Sequence, residues 1–283
     1  MRILLLTGGV IDIDASVSSR DMLVSGLIYW FSKKDYEIVT YNVNPLINGT
    51  QSPEDFLNDL PACDVLLLRL FTASWVVQNV QEIRERLGCK IVSFIEHKQD
   101  NMDLSVGFLK STNPDIHIPF PYIERYMINK QKEKNTILLD GQEENTVCML
   151  KEITDWLSPL ANTYKIYQLG GTPLAEYVEV IPKSNYKKYM ENTAKMEFFI
   201  QTHKGSYEHS IIDMAGRGIK VLVYPDLVAE EIITGLELPI YRNQEELIKL
   251  IENIEVKDVL NKMTPMEEIV NLLDERFKCK KYS

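Results

Sequence analysis

Cysteine is scarce and scattered in this chain. Cys63, Cys89, Cys148 and Cys279 form no CxxC pair, so the spacing suggests neither a zinc site nor a disulfide framework and fits a reducing cytoplasm. Long apolar runs are also missing. No stretch approaches the roughly 20 apolar residues of a membrane span, so membrane contact is expected to be peripheral at most. The opening run Met1–Leu6 stops at Thr7-Gly8-Gly9 and is followed by Asp12 and Asp14; it reads as a first buried strand, not a signal peptide. Positive charge is in deficit, with 31 Lys and Arg against 41 Asp and Glu and a net charge of -10. A phosphate backbone is repelled by such a balance, which disfavours a nucleic-acid partner. The basic stretches at 130–134 and 278–281 are short and read as solvated surface. There is no GxGxxG after a strand, so an NAD site is poorly supported, and no short repeat or low-complexity tract.

What remains is the composition of a globular protein: 283 residues, 45% hydrophobic and 25% charged, enough for two domains of ordinary size. Short apolar runs alternate with amphipathic segments, the pattern of βαβ units around a parallel sheet. Strands are expected at Arg2–Thr7, Tyr36–Tyr41, Val65–Arg69 and Lys90–Ile95. The helical spacing of Met22, Leu23, Leu27, Ile28 and Phe31 predicts a helix over Ser19–Lys33. Three prolines between Asn113 and Pro121 are expected to interrupt regular structure, and the polar stretch Asn129–Asn135 follows, which places the domain junction there. The alternation then restarts. Strands are expected at Thr136–Leu139, Tyr164–Leu169, Tyr177–Ile181, Met196–Gln201 and Lys220–Tyr224. Helices are expected at Glu144–Leu157, Asn185–Asn192, Ser206–Gly216, Gln244–Ile254 and Pro265–Phe277. The fold class is therefore α/β, two Rossmann-like doubly wound domains over 1–130 and 136–283 facing a central cleft, with ligands expected at the carboxyl ends of the strands.

Three stretches can carry chemistry there. Gly8 and Gly9 after the first strand let the backbone approach a ligand and aim N–H groups at an anion; a tight turn without a ligand accounts for them equally well. Glu96 and His97 end the fourth strand, where a carboxylate or an imidazole can act as a base or orient a sugar hydroxyl. The third stretch runs from Phe199 through Lys204-Gly205-Ser206-Tyr207-Glu208-His209-Ser210 to Asp213-Met214-Ala215-Gly216-Arg217-Gly218. Here a strand enters a helix through a Gly-Ser turn, and unpaired amides near Ser206–Ser210 favour a diphosphate. Glu208 and Asp213 can accept hydroxyl hydrogens, and Lys204 can neutralise phosphate charge.

This third stretch resembles the donor-binding region of GT-B glycosyltransferases, especially the retaining group with a Glu-containing loop, a helix bearing a second acid followed by Ala and Gly, and a buried strand beyond. The resemblance implies that Glu208 lies near the donor sugar or its phosphates, that Asp213 holds the nucleotide ribose, and that His97 lies close to the reacting sugar. It also implies that the first domain takes the acceptor, that the second takes the donor, and that the last helix crosses back to the first. The strand opening the second half leads to Asp140-Gly141-Gln142-Glu143-Glu144 where such enzymes carry an Arg and a Lys, which leaves Lys204, Arg217 and Arg20 as candidate phosphate clamps.

The function implied is metal-independent transfer of a sugar from a nucleoside-diphosphate donor to an acceptor hydroxyl of a glycan, lipid or small molecule. The expected catalytic residues are His97, Glu96 and Glu208. The expected donor-binding residues are Gly8, Gly9, Lys204, Gly205, Ser206, Tyr207, His209, Ser210 and Asp213. No cofactor is expected beyond the nucleotide sugar as co-substrate. A nucleotide-sugar epimerase, a non-catalytic nucleotide or sugar-phosphate binder, and a DNA-modifying glycosyltransferase are the alternatives.

Overall fold

The computed structural model describes residues 1–7, 19–68, 74–94, 101–124, 127, 130–141, 147–182, 184–204, 209–255 and 258–278, without the side chains of 19–22 and 74. The chain folds as two compact units. The first is Met1–Ser16, Arg20–Pro121 and Thr264–Ser283; the second is Val17–Ser19 and Tyr122–Met263.

In the first unit Ile3 to Leu6 are at most 2% exposed. A strand buried on both faces reads as such a continuous apolar run, and this one forms β1 (Arg2–Thr7). It is followed by α1 (Ser19–Ser32), β2 (Glu37–Asn42), α2 (Asn44–Ile47), α3 (Pro53–Asp59), β3 (Val65–Leu68), α4 (Ser74–Gln78), α5 (Val80–Leu87), β4 (Lys90–Phe94), β5 (Leu104–Gly107), β6 (Ile116–His117) and β7 (Pro121–Tyr122). The predicted face of α1 is buried at Leu23, Leu27 and Phe31. Strands β1 to β6 form one parallel sheet in the order β2-β1-β3-β4-β5-β6.

The prolines between Asn113 and Pro121 interrupt regular structure, leaving only the two-residue strands β6 and β7. Ile116 and His117 pair with Val106 and Gly107 as the edge strand of this sheet. Pro114 and Pro119 lie outside the paired residues, where a missing N–H costs the ladder nothing.

The second unit holds β8 (Thr136–Leu139), α6 (Leu150–Leu157), β9 (Lys165–Leu169), β10 (Val178–Ile181), α7 (Tyr186–Thr193), β11 (Phe198–Ile200), α8 (His209–Gly216), β12 (Lys220–Leu222), α9 (Glu230–Leu236) and α10 (Gln244–Asn253). Its parallel sheet runs β10-β9-β8-β11-β12. Ile137, Leu139, Ile153, Leu157, Phe198, Ile200 and Leu222 build a core against α6 and α10. Asn185 and Asn243 cap α7 and α10 by accepting from the N–H groups of Lys188 and Glu246, the side-chain chemistry that satisfies orphan donors at helix starts.

The helix expected over Glu144–Leu157 is shorter than its sequence pattern. Residues 142–146 lie outside the described residues, and α6 begins only at Leu150. The segment before it pairs instead with the end of β11: Cys148 bridges His203, Met149 N–H donates to Thr202 O at 2.7 Å, and Lys204 N–H donates to Val147 O at 2.8 Å. These tertiary bonds outcompete one more helical turn.

The last stretch, β13 (Thr264–Pro265) and α11 (Met266–Lys278), belongs to the first unit. Thr264 bonds to the carbonyls of Phe120 and Pro119, Phe277 stacks on Phe31, and Asp274 accepts from Tyr36, Lys34 and Lys278. Burial pushes the Asp274 carboxyl up, but the bonds from Tyr36, Lys278 and Lys34 prevail and hold it at about 2, against 3.8 for a free carboxyl. A carboxyl held down in the folded state stabilises it above the unfolded value, and this contribution fades as pH falls from about 4 to about 2. Asp274→Asn is therefore expected to cost about 1–2 kcal/mol at pH 7. In denaturant titrations the gap from the parent protein should shrink at pH 3; a gap independent of pH would assign the loss to packing.

Candidate functional site

In an open α/β sheet ligands bind where the strand order reverses, outside the carboxyl ends of the two strands flanking the switch. In the second unit this point lies between β8 and β11, because the chain builds β9 and β10 to one side of β8 and then β11 and β12 to the other. The residues just beyond β8 and β11 gather there into a buried polar cluster. Asp140 follows β8, while Gln201, Thr202 and His203 follow β11; exposures are 9% for Asp140, 0% for Gln201 and Thr202, and 8% for His203. The start of α8 adds Ser210.

The cluster is cross-linked by hydrogen bonds. The Ser210 hydroxyl lies 3.1 Å from Asp140 Oδ2 and 3.4 Å from Gln201 Oε1, so its one hydrogen serves either acceptor. Gln201 Nε2 donates to His203 O at 2.9 Å. The Thr202 hydroxyl sits 2.8 Å from Asp140 O and 2.9 Å from Gly141 O, fixing the chain as it leaves β8. His203 Nδ1 is 3.7 Å from Asp140 Oδ2, too long for a good hydrogen bond but close enough for strong attraction once the imidazole is protonated. The arrangement offers a carboxylate, an amide, a hydroxyl and an imidazole beside the positive end of a helix dipole. Such groups can orient sugar hydroxyls and stabilise an anion.

Behind this cluster lies a second buried network. Tyr186 donates to Asp213 Oδ2 at 2.5 Å. Arg217, 0% exposed, donates from Nε to Asp213 O, from Nη1 to Met190 O and Thr193 Oγ1, and from Nη2 to Met214 Sδ. Burial pushes the Asp213 carboxyl up to about 6, while the Tyr186 hydrogen bond and the Arg217 charge act the other way.

Of the residues singled out in the sequence, His209 and Ser210 stand at the start of α8, with His209 buried, and Lys204 is exposed beside the cluster. Asp213 is 6% exposed, one helical turn further in, and held by Tyr186. Gly8, Gly9, Glu96, His97, Gly205, Ser206, Tyr207 and Glu208 lie outside the described residues, as does the side chain of Arg20. Arg217 is corrected as a phosphate clamp: its guanidinium is spent on joining α7 to α8. Asp140, Gln201, Thr202 and His203 were not among the predicted site residues, although their position directly after the two strands at the switch was the available signal. Among the described residues no group of three or more His, Cys, Asp or Glu is placed to hold a metal ion, and no helix is long and apolar enough to cross a membrane.

No protein-family model matches the sequence, and no curated protein sequence matches it significantly. Solved structures do match over nearly the full length. The UDP-GlcNAc 2-epimerase of Methanocaldococcus jannaschii superposes with a TM-score of 0.63 at 11% identity, covering 97% of this chain and 100% of that one. The same epimerase in complex with UDP-GlcNAc and UDP gives 0.57 at 12% identity, covering 97% and 99%. MurG of Acinetobacter baumannii gives 0.58 at 10% identity, covering 97% and 99%. The chain is an α/β protein of the GT-B fold, as its sequence led one to expect. It is a divergent example, and its structural neighbours include both glycosyltransferases and UDP-GlcNAc 2-epimerases.

Proposed function

We propose that the protein is a glycosyltransferase that binds a nucleoside-diphosphate sugar through its second unit and passes the sugar to an acceptor hydroxyl. The observation that carries this reading is the buried Asp140–Ser210–Gln201–His203 cluster at the switch point between β8 and β11. Buried polar side chains are costly unless they serve structure or ligand, and these stand where ligands of open α/β sheets bind. Asp140 is suited to accept hydrogens from sugar hydroxyls. The leaving diphosphate carries its new charge to the start of α8, where Ser210 and the exposed Lys204 stabilise it. In this reading Glu208, Glu96 and His97 take the roles the resemblance implies for them. The reaction is then positioning and charge stabilisation, with Asp140 and Ser210 holding the donor in its reactive pose.

The test is a thermal-shift screen against nucleoside diphosphates and their sugar conjugates, since a ligand that binds only the folded state raises its melting temperature. A rise with a nucleotide sugar, lost in Ser210→Ala and in Asp140→Asn, is the expected result. Silence from every nucleotide would remove the reading. For turnover, Glu208→Ala is expected to lower kcat/KM by about 100-fold or more with an unchanged melting temperature; unchanged turnover would remove Glu208 from the mechanism.

A second reading, epimerisation of the nucleotide sugar itself, draws support from the full-length likeness to the M. jannaschii epimerase. Product analysis without any acceptor separates the two. A changed sugar configuration with the diphosphate still attached supports epimerisation, and acceptor-dependent release of the nucleoside diphosphate supports transfer.

A further inference from the structure

Cys63 and Cys89 are far apart in sequence, yet the fold brings them to the starts of neighbouring strands. Val65 pairs with Lys90 in the parallel register of β3 and β4, and the Lys90 N–H donates to Asp64 O at 3.0 Å. Asp64 therefore stands opposite Cys89, and Cys63 one residue before it. With strands about 4.8 Å apart and a rise of about 3.3 Å per residue, their Cα atoms are separated by roughly 6 Å, a span that a disulfide bridges without moving the backbone. Both side chains pack on the same apolar cluster, built from Leu4, Leu66, Val80, Ile83 and Ile91 among others, so they lie on one face of the sheet. Their sulfurs are within hydrogen-bonding reach, with the Leu66 N–H also directed at Cys89. Both are free thiols, Cys89 5% exposed and Cys63 half-buried.

The geometry points to a redox modification site, in which Cys63 and Cys89 close an intramolecular disulfide that ties the start of β3 to the start of β4, with hydrogen peroxide as the oxidant. The site holds whether or not the second unit binds a nucleotide sugar, because it belongs to the first unit and to the amino ends of its strands.

The two sulfurs divide the work. The hydrogen bond from Cys63 holds the Cys89 thiol below its usual range, while the same contact and burial push Cys63 up. Cys89 is thus the readier thiolate, and peroxide is small enough to reach a sulfur with little exposure. The Cys89 thiolate attacks one peroxide oxygen; an S–O bond forms, the O–O bond breaks, and the departing hydroxide takes a proton to become water. Cys63 sulfur then attacks the Cys89 sulfenic sulfur. The S–S bond forms as the S–O bond breaks, and the Cys63 proton leaves with the hydroxide as a second water. Two thiols are oxidised to one disulfide and one peroxide is reduced to two waters. A dithiol reductant reverses the bond by exchange.

The experiment treats the whole protein with hydrogen peroxide, alkylates the remaining thiols under denaturing conditions and digests without reduction. A peptide pair joined through Cys63 and Cys89, absent in Cys89→Ser and released by dithiothreitol, is expected. In Cys63→Ser, which lacks the resolving sulfur, dimedone should label Cys89. Cys63 and Cys89 both recovered alkylated, or either joined to Cys148, to Cys279 or to a second molecule, overturns the proposal. Melting gives an independent readout. The bond closes a loop of 27 residues and restrains the unfolded chain, so the oxidised protein should melt several degrees higher and return on reduction. A lower or unchanged melting temperature after full conversion would mean that the folded geometry resists the bond, and would overturn it too.

Discussion

Gly141→Ala is expected to cost the protein about 3 kcal/mol or more and to lower its melting temperature by roughly 10 °C, at a few degrees per kcal/mol for a domain of this size. An alanine Cβ at this position would stand 2.0 Å from the Leu169 carbonyl oxygen and 3.1 Å from its carbonyl carbon. That obstacle is backbone, so no side-chain rotation relieves it. β8 and β9 run side by side, with Leu139 paired to Gln168, and the chain leaving β8 passes directly over the end of β9. The strands would have to separate at their carboxyl ends, carrying Asp140 away from Ser210. On the proposed function, any thermal response to a nucleotide sugar should be lost together with the stability. Gly88→Ala is the control: its φ of 62° strains any L side chain, but an added Cβ meets nothing within 4 Å, so a cost of only about 1 kcal/mol is expected. Equal melting temperatures for the two variants would mean that the approach of Gly141 to Leu169 does not govern the fold.

The other large effect is expected at Arg217. Arg217→Met removes the two bonds from Nη1 to Met190 O and Thr193 Oγ1 that tie α7 to the end of α8, together with two bonds to Asp213 O and Met214 Sδ within α8, and takes away the positive charge that helps hold the buried Asp213 carboxyl down. With these buried acceptors left without their donor, a cost of about 3 kcal/mol or more is expected. The pH dependence carries the signature. Asp213 titrates at about 6 in the fold, above its unfolded value of 3.8, so its contribution is fully present below about 4 and is lost as pH rises through 6. Without Arg217 the carboxyl is pushed up further, and the loss grows toward neutral pH. The deficit of the variant, measured by denaturant titration, should be larger at pH 7 than at pH 5. The double variant Arg217→Met with Asp213→Asn should recover part of it at pH 7, since no buried charge is then left alone. A deficit that is the same at both pH values and is not relieved by Asp213→Asn would assign the loss to packing.

The sheets were legible because buried parallel strands leave an unmistakable trace: Leu4-Leu5-Leu6, Val65–Leu68 and Ile137–Leu139 are apolar on both faces and could hardly be anything else. Elements whose identity comes from partners were not. β5 and β6 are short, and only pairing with β4 and with each other makes them strands. Val147–Met149 carries a helical pattern but is claimed by the end of β11. α9 has no start signal in the sequence, because Glu230 and Glu231 open it without a capping side chain. At the site, the stretch around Ser210 stands out from its Gly-Ser turn, whereas Asp140 stands in an acidic loop where the resemblance calls for an Arg and a Lys. Its role depends on Ser210 and His203, which arrive from about 60–70 positions later in the chain, and sequence spacing alone does not reveal such a meeting. Asp213 and Arg217 stand out in the sequence as ligand-binding candidates, and only the packing shows that Tyr186 and Met190 from another helix enclose them.

The placement of α11 bears on biosynthesis. A ribosome that has delivered the chain through Met263 has supplied the whole continuous stretch 122–263 of the second unit, whereas the first still awaits the helix whose Asp274 and Phe277 meet Tyr36 and Phe31. The later-made half can therefore mature ahead of the earlier-made one. A nascent chain stalled at that point would present the uncovered flank of Phe31 to chaperones until the final turns emerge.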